Sequence, residues 1–178
     1  MKKVLVMAGC LSCLLMFSGC QTSNINVERY TLADDISASS WRNLSRIKVN
    51  LTGILSDGAL VVKISDVSLR PAQHHRWSGK LEEQLAAVLS EFLKNRDPSL
   101  SVEVDVSKFY GALDSTVEIE ALFTAKQKGK TISSLVLNFN EKQPVSGYEC
   151  MVVTLKKGWN KLCAEFAASV EQNSRATL

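Results

Sequence analysis

From Val102 to Ser107 apolar and polar side chains alternate without a break, Val102, Val104 and Val106 against Glu103, Asp105 and Ser107. Successive strand side chains point to opposite faces, so this stretch predicts a β-strand with one dry and one wet face. A dry face has to be covered, which commits the chain to at least two packed layers. Residues 116–125 and 131–140 carry further strand signals and are joined by the turn-like run Lys126-Gln127-Lys128-Gly129-Lys130, predicting a meander. Upstream, residues 29–32, 46–51 and 59–64 read as strands, with Ser56-Asp57-Gly58 marking a turn between the last two. A brief fourth strand over 66–69 is expected to end at Pro71.

The covering layer is legible as two stripes with helical period. Leu81, Leu85, Val88, Leu89, Phe92 and Leu93 recur at spacings of three and four, with Glu82, Glu83, Gln84, Glu91 and Lys94 on the other side. Ser78 is the expected N-cap and Asp97-Pro98 the end of this helix. A second helix opens at Ser146-Gly147-Tyr148-Glu149, a capping-box spacing with Val145 ahead of it as a hydrophobic staple. Its stripe of Val152, Leu155, Trp159, Leu162, Phe166 and Val170 runs to about Glu171. The order β-β-β-β-α-β-β-β-α implies an α+β domain, a largely antiparallel sheet of about six or seven strands with two helices packed on one face.

Ahead of this domain, Met1-Lys2-Lys3 precedes an apolar run from Val4 to Phe17, the length of a signal-peptide core and too short for a stable bilayer span. Phe17-Ser18-Gly19-Cys20 then resembles a bacterial lipobox, although Phe17 stands where Leu is usual. In that resemblance two small residues admit a lipoprotein signal peptidase, and the Cys20 thiol takes a diacylglyceryl group to become the lipidated N-terminus. Two acyl chains suffice for stable attachment, because each buried methylene contributes about 0.8 kcal/mol. Gln21 occupies the position where Asp would signal retention at the inner membrane, which points to the outer membrane. The expected organisation is a signal peptide over 1–19, a lipidated tether over 20–28 and a single domain over 29–178. Loss of Lys2 and Lys3 takes 21 basic residues to 19 against 18 acidic, leaving no charge argument for a nucleic-acid partner.

Motifs for chemistry are scarce. His74-His75 is read as a surface-loop pair beside Arg76 and Trp77; neighbouring residues diverge, and no Cys, Asp or Glu stands at ligand spacing, so no metal is expected. The sequence shows no G-x-S-x-G, H-E-x-x-H, P-loop or dinucleotide fingerprint, and no catalytic residue or cofactor is assigned. Cys150 and Cys163 would lie about 20 Å apart on one straight helix, out of reach of a disulfide. A break at Gly158 would permit a bridge; otherwise they are buried free thiols or, less simply, an intermolecular pair. Trp77, Phe92, Trp159 and Phe166 are read as core rather than as a lipid-binding box, and Lys156, Lys157 and Lys161 as a solvated helix face.

In their order and spacing these pieces resemble the ABC-type transport auxiliary lipoproteins. The resemblance rests on the lipobox at Cys20, Tyr30-Thr31-Leu32 soon after it, and Arg76-Trp77 leading into Leu81, Leu85 and Leu89. It continues through the 102–109 strand with its terminal Phe109, and Gly147-Tyr148-Glu149 opening the last helix around Trp159. Thr52-Gly53-Ile54-Leu55 replaces a loop that is often Pro-rich or Tyr-Leu in the family, and Gly79-Lys80 stands where Pro is frequent, differences that bear on partner choice. The resemblance implies a non-enzymatic accessory component of an MCE-type intermembrane lipid transport system, anchored at the outer membrane and facing the periplasm. Its implied partners are a tunnel-forming MCE-domain protein of the inner membrane (PqiB-like) and further copies of itself in a homo-oligomeric ring. The competing readings are an outer-membrane assembly lipoprotein acting as a β-barrel plug or chaperone, and a lipid-anchored enzyme whose few candidate residues would be His74 and His75.

Overall fold

The computed structural model describes residues 26–33 and 44–176. They form strands β1 (Glu28–Tyr30), β2 (Ile47–Leu51), β3 (Ala59–Ser65) and β4 (Ser68–Trp77), helix α1 (Leu81–Leu93), strands β5 (Leu100–Ala112), β6 (Thr116–Gln127) and β7 (Lys130–Lys142), and helix α2 (Tyr148–Ala176). One seven-stranded sheet has the order β1-β4-β3-β5-β6-β7, with β2 also paired to β5. The meander β5-β6-β7 and the β3-β4 hairpin are antiparallel, whereas β1 on β4 and both β2 and β3 on β5 are parallel. The expected α+β architecture is present, with a sheet more mixed than the alternating signals suggested.

Strand β5 is the spine. One side pairs with β6 along its length, while the other is shared, β2 lying on Val102–Val106 and β3 on Gly111-Ala112. The hand-over coincides with a bulge in β5 between Val106 and Lys108 and with a short 3-10 helix, Gly53–Asp57, that carries the chain from β2 to β3. Gly58 closes that helix at φ 72°, a left-handed angle that costs glycine nothing, so the Ser56-Asp57-Gly58 signal marks a helical turn. The β6-β7 reversal is a two-residue hairpin through Lys128 (φ 49°) and Gly129 (φ 79°), whose positive angles match the twist of the flanking strands.

Val102, Val104 and Val106 of β5, Ile119, Ala121 and Phe123 of β6, and Leu137 and Phe139 of β7 line the buried face beneath the helices. Trp159 of α2 is the centre of this core: it packs on Phe123 (5.5 Å) and edge-on to Phe109 (6.1 Å), and its indole N–H donates to the Leu85 carbonyl of α1 at 3.1 Å. Trp77 and Phe166 are buried as well and Phe92 is half-buried, so the aromatic residues belong to the core. Gly158 lets α2 approach closely: a Cβ there would sit 2.4 Å from Phe139 and 2.8 Å from Ile119.

Several local expectations are corrected. Strand β4 does not stop at Pro71 but runs on through His74 and His75 to Trp77. Among the described residues β4 has a neighbour on one side only at Pro71, since the pairing with β1 begins at His75, and a missing amide is tolerated at such an edge. Lys80, not Ser78, occupies the N-cap position of α1, without a side-chain cap, and the Ser78 amide donates to the Tyr30 carbonyl at 2.8 Å. The capping box does not form: α2 starts at Tyr148, the Ser146 hydroxyl bonds that of Ser115 (2.8 Å), and the intended staple Val145 is exposed. Gly158 does not break α2, so Cys150 and Cys163 are both free, and the second is buried.

Candidate functional site

A polar cluster surrounds the first described strand, where the N-terminal chain joins the sheet. Strand β1 lies parallel on the end of β4, Glu28 opposite His75 and Tyr30 opposite Trp77. The Tyr30 hydroxyl donates to Glu28 Oε2 at 2.6 Å and lies 3.0 Å from His75 Nδ1, which is itself 3.2 Å from Glu28 Oε2. The Tyr148 ring at the start of α2 stacks on His75 at 3.8 Å. Immediately downstream the Leu32 amide donates to Gln84 Oε1 of α1 at 2.8 Å. Three separate elements, β4, α1 and α2, thus grip eight described residues of N-terminal chain.

Desolvation, then the hydrogen bond and charge of Glu28, push the Tyr30 phenol up to about 12. It therefore stays protonated at any physiological pH and offers no phenolate nucleophile. Chemically the cluster can hold; no reaction centre converges on it, and no group of His, Cys, Asp and Glu among the described residues is arranged to bind a metal. His74 and His75 accordingly lie on a strand instead of in a loop, and only His75 joins the cluster. The sequence offered no signal for this site, because it is made by pairing residues 45 positions apart.

Cys20, the expected lipidation site, lies outside the described residues, as does the whole signal peptide. The helix lysines are solvated: Lys157 pairs with Glu141 at 2.5 Å, and Lys161 lies over the Phe139 ring at 5.9 Å. A groove of about 610 Å3 runs between β2 and the first turns of α1, its walls mixing Ile47, Val49 and Ala86 with Lys48 and the ion-paired Lys80 and Glu83. The uncovered face of the sheet carries charges that satisfy one another. Lys48 meets Glu103 (3.1 Å), Lys63 meets Glu118 (3.5 Å) and Lys108 meets Glu120 (3.2 Å). Hydrogen bonds from Lys48 and Asn50 hold Glu103 below the usual carboxylate range, and those from Ser107 and Lys108 do the same for Glu120. The Ser107 hydroxyl donates to Glu120 at 2.8 Å, a carboxylate that its hydrogen bonds and Lys108 make a weaker base.

The family model for the ABC-type transport auxiliary lipoprotein component matches residues 30–167, from the end of β1 into α2. The chain belongs to this family. The intermembrane transport lipoprotein PqiC of Escherichia coli (strain K12) is 25% identical over 176 residues, covering 89% of this chain and 94% of that protein. PqiC of Shigella flexneri matches to the same extent, 25% over 176 residues. Among solved structures, an uncharacterized protein superposes with a TM-score of 0.68 at 23% identity, covering 82% of this chain and 99% of the other. Protein XCC0632 from Xanthomonas campestris gives 0.63 at 12% identity, covering 72% and 86%. These structures share the fold of this auxiliary lipoprotein. Its family marks it as an auxiliary component of a transport system.

Proposed function

We propose that this auxiliary lipoprotein is an outer-membrane-anchored, periplasm-facing subunit of an MCE-type intermembrane lipid transport system, where it docks or extends the tunnel of an inner-membrane MCE-domain protein. The observation that carries the reading is the family match beginning at residue 30, ten positions after the lipobox cysteine. The relatives named for intermembrane transport support it. In this reading residues 1–19 are removed, Cys20 is acylated, 20–28 form the tether and 29–178 the domain. The role needs no catalysis: confinement at one membrane raises the effective concentration of the domain for a partner's tip. Strand β7, 13 residues long and paired among the described residues only with β6, offers an edge through which copies could join in a ring.

In-cell crosslinking of the native lipoprotein, followed by membrane separation and mass spectrometry of its partners, tests the proposal. An MCE-domain protein crosslinked in outer-membrane fractions is the expected result. Recovery of a β-barrel protein alone would replace it with the assembly-factor reading.

A further inference from the structure

Three turns meet at one end of the sheet: β3 to β4, β5 to β6, and β7 to α2. They are tied together by the Leu113 amide on the Lys63 carbonyl (3.3 Å), the Gln143 amide on the Ser115 carbonyl (2.8 Å) and the paired Ser115 and Ser146 hydroxyls (2.8 Å). Each turn carries an apolar side chain in solvent, Val67 at 96%, Leu113 at 69% and Val145 at 69% exposure. Turn tips are ordinarily polar, and none of these three contributes to the core. At the opposite end the corresponding positions are Asp97, Gln127, Lys128 and Lys130. Among the described residues, the first end, here called the greasy pole, thus carries exposed apolar tips among its charges, whereas the tips at the second, the charged pole, are polar or charged.

The tether selects between them. Because β1 is parallel to β4, with Glu28 opposite His75 and Tyr30 opposite Trp77, the N-terminal end of β1 faces the Ser68 end of β4, at the greasy pole. The paired stretch of β3, Ala59 to Ser65, sets the span from Arg76 to Ser68 at about 20 Å of strand. Cys20 is eight residues before Glu28, a reach of at most about 28 Å. The charged pole lies the other way, about 30 Å off by the nine residues of β5 from Phe109 to Leu100. An anchor at Cys20 therefore reaches the first pole with slack and the second only with the intervening chain fully extended.

We infer that Val67, Leu113 and Val145 form a membrane-docking face, immersed in the phospholipid leaflet to which Cys20 is attached, so that the charged pole points into the periplasm. This rests on the acyl anchor proposed above. Charges beside the tips are of both signs, Asp66 and Asp114 with Lys63 and Lys142, so immersion is driven by apolar contact and is insensitive to salt.

The test uses the full acylated lipoprotein in vesicles of phosphatidylethanolamine and phosphatidylglycerol. Val67→Cys, Leu113→Cys, Val145→Cys and, as control, Lys128→Cys are each placed in a Cys150→Ala background and labelled with an environment-sensitive fluorophore. Lipid-borne quenchers should dim the three tips and leave position 128 bright. Mature-length protein made without residues 1–20, and so without the acyl group, should still bind such vesicles weakly, and Val67→Asp with Leu113→Asp and Val145→Asp should lower that binding at least about tenfold, since one buried Val or Leu is itself worth about that factor. Unquenched tips would overturn the inference while leaving the anchor intact, and blue-shifted but unquenched tips would do so in favour of a protein interface. Mass spectrometry showing no acyl group on the mature chain would instead remove the anchor, and this inference with it.

Discussion

Trp159 offers the sharpest energetic test of the core. It is 0% exposed and touches both sheet and helix partners. A buried tryptophan removes about 150–250 Å2 from water, worth about 4–6 kcal/mol at 25 cal/mol per Å2. Alanine keeps part of that area, while the void left among Phe109, Phe123 and Leu85 closes only partly, so Trp159→Ala should cost about 3–5 kcal/mol. Trp159→Phe retains a ring and chiefly loses the 3.1 Å bond to the Leu85 carbonyl. That carbonyl lies within α1 and keeps its helical partner, so the bond contributes about 1 kcal/mol and the Phe variant should lose about 1–2 kcal/mol. Urea unfolding followed by far-UV circular dichroism reads both values, with an unchanged slope confirming that the folded state is intact. A loss below about 1 kcal/mol for Trp159→Ala, or equal losses for the two variants, would refute the packing argument.

Gly158→Leu should destabilise by about 1–3 kcal/mol or more in the same assay, because even a Cβ meets Phe139 at 2.4 Å and helix propensity returns only about 1 kcal/mol. In a Cys20→Ala protein, a thiol reagent should modify Cys150 in the native state and Cys163 only on unfolding, since Cys163 is buried and its burial pushes the thiol well up; equal labelling rates would contradict this. The folded state lowers Asp97 through the Ser99 amide, Glu103 through Lys48, Glu120 through Ser107 and Glu171 through Arg96. Depressed carboxylates stabilise above their ordinary values of 3.8 to 4.5, so melting temperature should hold at higher pH and fall as pH drops below about 4.5. Tyr30 is raised, so its contribution is complete below pH 10 and lost as pH rises toward 12, and Tyr30→Phe should delete a phenolate absorbance step near 12.

What could be read from residues alone was what is local. Period-two alternation at Val102–Ser107 and period-three-to-four stripes from Leu81 and Val152 depend only on neighbours in the chain, and they located β5, α1 and α2 and the α+β class. Misreadings arose where two signals competed within a few residues. Pro71 and the His74-His75 pair looked like the end of a strand, yet an edge position tolerates the proline and β1 supplies the partner that extends β4. Ser78 and Ser146 looked like caps, but each helix starts a residue or more later because their groups are taken by Tyr30 and Ser115. Only the tertiary structure decided that β2 and β3 share one edge of β5, that Glu28, Tyr30, His75 and Tyr148 meet, and that Val67, Leu113 and Val145 gather at one pole. Strand pairing joins segments tens of residues apart, and no periodicity within either segment encodes which other edge it will find.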